Sequence, residues 1–144
     1  MLLSLITILL IVIFILAVSL NSCSTKETEQ NNVYRLHDIW ALESIEGEKI
    51  IIDKTIKNLP MIEIYVEDEI VRGNTSCNTI NGRVNIDNNK ISFYDISTTE
   101  MACPGDLEQR FLSALRKVNC YKIEKLKLYL NEDDKELLSF QKVD

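Results

Sequence analysis

Pro104-Gly105-Asp106-Leu107-Glu108-Gln109-Arg110-Phe111-Leu112-Ser113-Ala114-Leu115-Arg116-Lys117-Val118 is the stretch that decides the fold class. Leu107, Phe111, Ala114, Leu115 and Val118 fall at i, i+4, i+7, i+8 and i+11, a single apolar stripe, which predicts one amphipathic helix over about 106–118. Pro104-Gly105 stops any element before it, and Asp106 reads as the N-cap with Gln109 as its return partner.

On both sides of this helix the period changes to two. Ile62, Ile64 and Val66 alternate with Glu63 and Glu67, a half-buried strand that Glu67-Asp68-Glu69 turns toward Ile70-Val71. Residues 80–86 and 91–93 flank Asp87-Asn88-Asn89, a tight-turn sequence. Leu126, Leu128 and Leu130 alternate with lysines and a tyrosine, then Asn131 to Lys135 turns the chain into Leu138 and Phe140, a C-terminal hairpin. Trp40 and Leu42, continued to Ser44 and Glu46, give an early strand with the single tryptophan facing inward. Strands, one helix, then strands, with no alternating βαβ unit, predict an antiparallel α+β domain.

The chain has 144 residues, and its 16 basic and 22 acidic side chains all lie beyond Ser22. The chain beyond that uncharged leader is one domain's length. A net charge of −6 excludes a basic nucleic-acid face, so no nucleic-acid partner is expected. It argues equally against attachment to anionic lipid through a basic patch. One histidine, His37, leaves little material for histidine catalysis or a multi-histidine metal site, and no metal site is expected.

Leu2 to Leu20 is long enough to span a bilayer or to serve as a signal peptide. Leu20-Asn21-Ser22-Cys23 resembles a bacterial lipobox, with an apolar residue three before a cysteine and a small one directly before it. The division expected is a lipoprotein signal peptide at 1–22, a lipidated Cys23 with a flexible tether at 23–33, and a folded domain at 34–144. Asn21 is bulky for a lipobox, and no lysine or arginine precedes the apolar run, so a retained signal anchor is the alternative. Residues 24–32 contain no apolar side chain and would span roughly 15–18 Å as a flexible coil. Ser24 after the cysteine favours the outer membrane where the cell has one.

Beyond Cys23, the thiols Cys77, Cys103 and Cys120 allow one bridge in any of three pairings, or three buried free thiols. Cys120, between Val118 and Ile123, reads as an inert buried thiol, since no Cys-x-x-Cys is present. Asn78 and Asn81 are candidate ligand contacts, but asparagine in a turn more often bonds its own backbone. Thr98 and Thr99 read the same way. Glu67-Asp68-Glu69 and Glu132-Asp133-Asp134 lack calcium-loop spacing and read as solvated turns. His37 beside Asp38 is a triad fragment without a nucleophile motif.

Two segments are more specific: Gly73-Asn74-Thr75-Ser76-Cys77-Asn78-Thr79-Ile80-Asn81-Gly82, and Thr98-Thr99-Glu100-Met101-Ala102-Cys103 leading to Glu108, Phe111, Leu112 and Leu115. Together they resemble the META domain family, also called HslJ-like, over roughly residues 36–141. The motif positions carried over are Asn78, Gly82, Thr98, Thr99, Met101, Ala102 and Glu108, with Cys77 and Cys103 as the implied disulfide. Ser76 departs from the family's more frequent glycine, which suggests a looser turn, with Gly73 taking part of that role. Cys120 is additional to the pattern. The resemblance implies an antiparallel sheet curled toward a barrel with the helix packed against it. It implies no enzyme activity and no cofactor.

The function expected is a non-enzymatic, membrane-anchored envelope lipoprotein, extracytoplasmic, acting as a stress-related or structural binding module for another envelope protein. The alternatives are a secreted hydrolase inhibitor (protease or lysozyme), presenting Glu67-Asp68-Glu69 or Asp87-Asn88-Asn89 as its loop, or a carrier of a small apolar ligand inside the curled sheet.

Overall fold

Strands form where the period-two runs lie, each turning its apolar face toward one interior. The computed structural model describes residues 33–143 apart from 55 and 57, so the leader, Cys23 and the tether up to residue 32 lie outside the described residues. The strands are β1 (Ile39–Ile45), β2 (Glu48–Lys49), β3 (Met61–Tyr65), β4 (Ile70–Asn74), β5 (Thr79–Asp87), β6 (Lys90–Thr98), β7 (Cys120–Glu124), β8 (Lys127–Glu132) and β9 (Lys135–Lys142). Helix α1 (Leu107–Leu115) joins β6 to β7. Spatial order is β2-β1-β3-β4-β5-β6-β7-β8-β9, all antiparallel, and β1 also pairs with β9. That last pairing curls the sheet into a ring. Its weakest seam is β6–β7, joined by the single register pair Lys90↔Cys120.

The ring's interior is filled by side chains no more than 1% exposed, including Trp40, Leu42, Ile64, Val84, Leu130 and Phe140. Each contributes roughly 1.5–3 kcal/mol by leaving water. Helix α1 packs its stripe on β9 and β1, with Phe111 edge-on to Phe140 at 6.3 Å. An apolar ligand carried inside would have to displace these groups.

The structure corrects several local expectations. The helix ends at Leu115 instead of reaching Val118, which is nonetheless buried. Asp106 makes no side-chain cap, because its φ of −116° and ψ of 3° lie outside the extended conformation that an N-cap needs. In β1 the inward face passes from Leu42 to Ile45, since a bulge between Leu42 and Ser44 shifts the alternation by one. Leu126 is 51% exposed in the β7–β8 turn, so only Leu128 and Leu130 of that trio face the core. A bulge opposite Leu130 and Asn131 lets Leu137 join Leu138 in the interior. Asn81 is a strand residue, paired with Arg72 and Ser97, and not a turn residue.

Alternating strand direction sorts the connections to two ends of the ring. The segment 33–38, the β3–β4 and β7–β8 turns and Val143 lie toward one end, while the β5–β6 turn sits against the start of β7, where Tyr121 N–H donates to Asn89 O at 2.9 Å. Residues 46–60, the β4–β5 turn, the connection through α1 and the β8–β9 turn gather at the other.

Candidate functional site

The β4–β5 turn is built by short-range bonds. Thr75 N–H donates to Asn78 O (2.7 Å), Asn78 N–H donates to Thr75 Oγ1 (2.9 Å), and Ser76 N–H donates to Asn74 Oδ1 (2.9 Å). Ser76 takes φ 81°, the left-handed conformation that a glycine would hold at lower cost. The turn is therefore tight despite the serine. Gly73 takes no part in it: it lies in β4, where an added Cβ would sit 2.0 Å from the carbonyl oxygen of Met61 on β3.

Asn78 is 1% exposed, and its side chain reaches out of its own turn to the segment before α1. Its Oδ1 accepts from Thr99 Oγ1 (2.8 Å) and from Met101 N–H (2.9 Å). Its Nδ2 donates to Met101 O (3.1 Å) and to Glu108 Oε2 (2.9 Å), and lies 3.1 Å from Glu108 Oε1 and from Cys103 Sγ. With a backbone donor on one side and a carboxylate on the other, only this amide orientation satisfies both. Thr75 Oγ1 also bonds Glu108 Oε2. Thr99 Oγ1 further accepts from Thr79 N–H at 3.1 Å.

Asn78 closes its own turn through its main chain, while the side chains of Asn78 and Thr99 tie β5, the 99–103 segment and α1 together. Cys77 and Cys103 form a disulfide with Cα atoms 5.9 Å apart, beside this knot. Met101 contributes only its main chain, its side chain being 58% exposed, and Ala102 is also exposed. Thr98 and Gly82 stand apart from the knot. Thr98 ends β6 opposite Ile80, and Gly82 lies under the β6 bulge, where a Cβ would meet Ile96 Cδ1 at 2.4 Å and Tyr94 O at 3.2 Å. Thr75, 1% exposed, is the member that sequence reasoning missed; its place three residues before Asn78 was the available signal.

Next to the knot opens a cleft of about 420 Å³, between Lys54, Ile56 and Asn58 on one side and Ser76, the disulfide and Leu107 on the other. Ile51 and Ile52, in the same 46–60 segment, are 70% and 57% exposed. Cys120 is a half-buried free thiol whose Sγ donates to Asp133 O at 3.2 Å. Burial, then the charges of Asp133 and Asp134, push its pKa up, which keeps it a poor nucleophile at neutral pH. His37 lies edge-on to Tyr65 at 5.6 Å, while Asp38 accepts from Ile39 N–H and pairs with Lys142 at 2.7 Å. Neither loop read as a hydrolase-inhibiting loop, Glu67-Asp68-Glu69 or Asp87-Asn88-Asn89, lines the cleft.

The sequence profile of the META domain matches residues 18–144. Among solved structures, the NMR structure of a protein from Burkholderia xenovorans is similar at 17% identity and a TM-score of 0.62, covering 78% of this chain and 87% of that one. The crystal structure of a DUF4847 family protein from Bacteroides vulgatus ATCC 8482 is similar at 19% identity and a TM-score of 0.56, covering 74% and 92%. At such identities the likeness shows the curled-sheet fold alone. No curated protein matches the chain. With the profile spanning the whole described domain, and the Cys77–Cys103 bridge and Asn78 knot built from its motif, the chain belongs to the META domain family.

Proposed function

We propose that this protein is a non-enzymatic, membrane-anchored lipoprotein of the bacterial envelope whose META domain binds another envelope protein, in a stress-related or structural role. The lipobox-like Leu20-Asn21-Ser22-Cys23 and the polar tether support the anchor. The observation that carries the binding role is the separation of the two ends. The chain joins the ring at one end, while the cleft, the exposed Ile51 and Ile52 and the disulfide-stapled turn lie at the other. A domain tethered at 33 would present that second end away from the bilayer, where a partner can reach it. The non-enzymatic reading is supported by how the polar groups are used: Glu108 is engaged by Thr75 and Asn78, and Cys120 is held as a thiol.

Peptide mapping of membrane-extracted protein is expected to recover an acylated N-terminal Cys23. A photo-crosslinking residue at position 51, in cells, is expected to capture one recurring envelope protein. An intact leader would overturn the anchor, and a repeatable blank at position 51 would overturn the docking end. Stoichiometric inhibition of a protease or lysozyme by the full chain would favour the inhibitor instead.

A further inference from the structure

The end of the ring where the chain joins it carries its own apolar surface. Tyr34 is 59% exposed, Leu126 51% and Val143 36%, and hydrogen bonds bring the segments that bear them together. Arg35 Nη2 donates to Lys125 O at 2.5 Å, which fixes the 33–38 segment, helical at 33–35, against the β7–β8 turn. Lys142 N–H donates to Leu126 O at 2.8 Å and Val143 N–H donates to Ile39 O at 2.9 Å, which sets the last residues of β9 beside the same turn. Leu126 therefore lies at a hairpin tip beside the segments that bear Tyr34 and Val143, and these segments also carry the cations Arg35, Lys125 and Lys142. At this end Asp38 pairs with Lys142 at 2.7 Å and Glu124 with Lys122 at 2.5 Å. Beyond the His37–Tyr65 contact, the β3–β4 turn adds Glu67, Asp68 and Glu69 to this end, so its overall charge does not favour a strongly anionic surface.

We infer that this end seats the domain on the phospholipid bilayer, with Leu126, Tyr34 and Val143 at the acyl boundary and Arg35 and Lys125 at the level of the lipid phosphates. The inference rests on the anchor proposed above. Residues 24–32 separate Cys23 from the first described residue, Val33, so an acylated Cys23 would hold this end within a tether length of roughly 15–18 Å from the membrane. At the resulting effective concentration, a contact too weak to bind a free domain is occupied. Large apolar tips ringed by lysine and arginine, whose stems lie along apolar surface while their heads stay at the phosphates, match a membrane interface. Seating here also turns the cleft outward.

The test uses the full lipidated chain in zwitterionic phosphatidylethanolamine–phosphatidylcholine vesicles carrying brominated acyl chains. Leu126→Trp and, at the opposite end, Ile51→Trp are compared with the parent, whose Trp40 is buried. A tip sunk roughly 5–10 Å into the interface should lose about half its added emission to the bromines, while the residue 51 probe keeps its own. Equal quenching of both probes, or of neither, overturns the seating. A chain that does not float with the vesicles at all instead overturns the anchor, which separates the two failures. Leu126→Asp, read through Tyr34→Trp, should abolish quenching while the chain still floats. Persistent quenching of that probe would mean Leu126 does not seat this end.

Discussion

Ser76 holds φ 81°, a conformation in which a side chain costs roughly 1–2 kcal/mol against the following carbonyl. The serine persists there because the turn is over-determined: Asn74 Oδ1 accepts its N–H, and Thr75 and Asn78 bond each other across it. A glycine would keep those main-chain bonds and lose the steric cost, at the expense of a more flexible unfolded chain. Ser76→Gly is therefore expected to stabilise the domain by about 0.5–1 kcal/mol, raising the thermal midpoint by roughly 2–6 °C. A lower midpoint would mean that the serine side chain contributes more than its strain removes. The resemblance gives the opposite impression, since a serine where the family more often has glycine suggests a loosened turn.

Helix α1 shows the same economy at the scale of an element. It has no side-chain N-cap, yet its first turn is fastened through Glu108, which Thr75 and Asn78 both engage. Asn78→Asp would face that carboxylate with a second one, in a site only 1% exposed at residue 78. The expected loss is about 3 kcal/mol at neutral pH, seen as a lower urea midpoint. A carboxyl repelled in this way has a folded pKa above its unfolded one. Its penalty is thus complete above the folded value, shrinks as pH falls through it, and is gone below the unfolded value. Asn78→Ala carries no such group, so its own loss should not shrink in parallel; parallel behaviour of the two variants would refute the assignment. The helix and most strands were legible because apolar periodicity is a property of one segment. The bulges in β1 and β9 were not, because a bulge exists only relative to a partner strand, and so Ile45 and Leu137 were missed as core. The knot was legible only as motif letters: which atom of Asn78 meets Met101 and which meets Glu108 is decided when residues 23 and 30 positions apart are brought together.

At the scale of the whole molecule, the ring is unevenly closed. β8–β9 and β1–β9 are paired along their lengths, whereas β6 meets β7 through Lys90↔Cys120 alone. The Cys77–Cys103 bridge encloses the β5–β6 hairpin, the side of the ring that borders this seam, and its sequence separation is 26 residues. Cross-linking a loop of that size removes roughly 3–4 kcal/mol of freedom from the unfolded chain in the entropy model. Reductant is thus expected to lower the thermal midpoint by roughly 10–20 °C. The double variant Cys77→Ser with Cys103→Ser should match the reduced protein and lose its response to reductant. Cys120→Ser should keep the full response, because that thiol takes no part in the bridge. A native midpoint indifferent to reductant would show that the bridge does not hold the ring. If the bridge does hold, hydrogen exchange on reduction should accelerate first along β6 beyond Lys90. Among the described strands only β5 pairs with the main chain there, so opening costs the fewest ladder bonds.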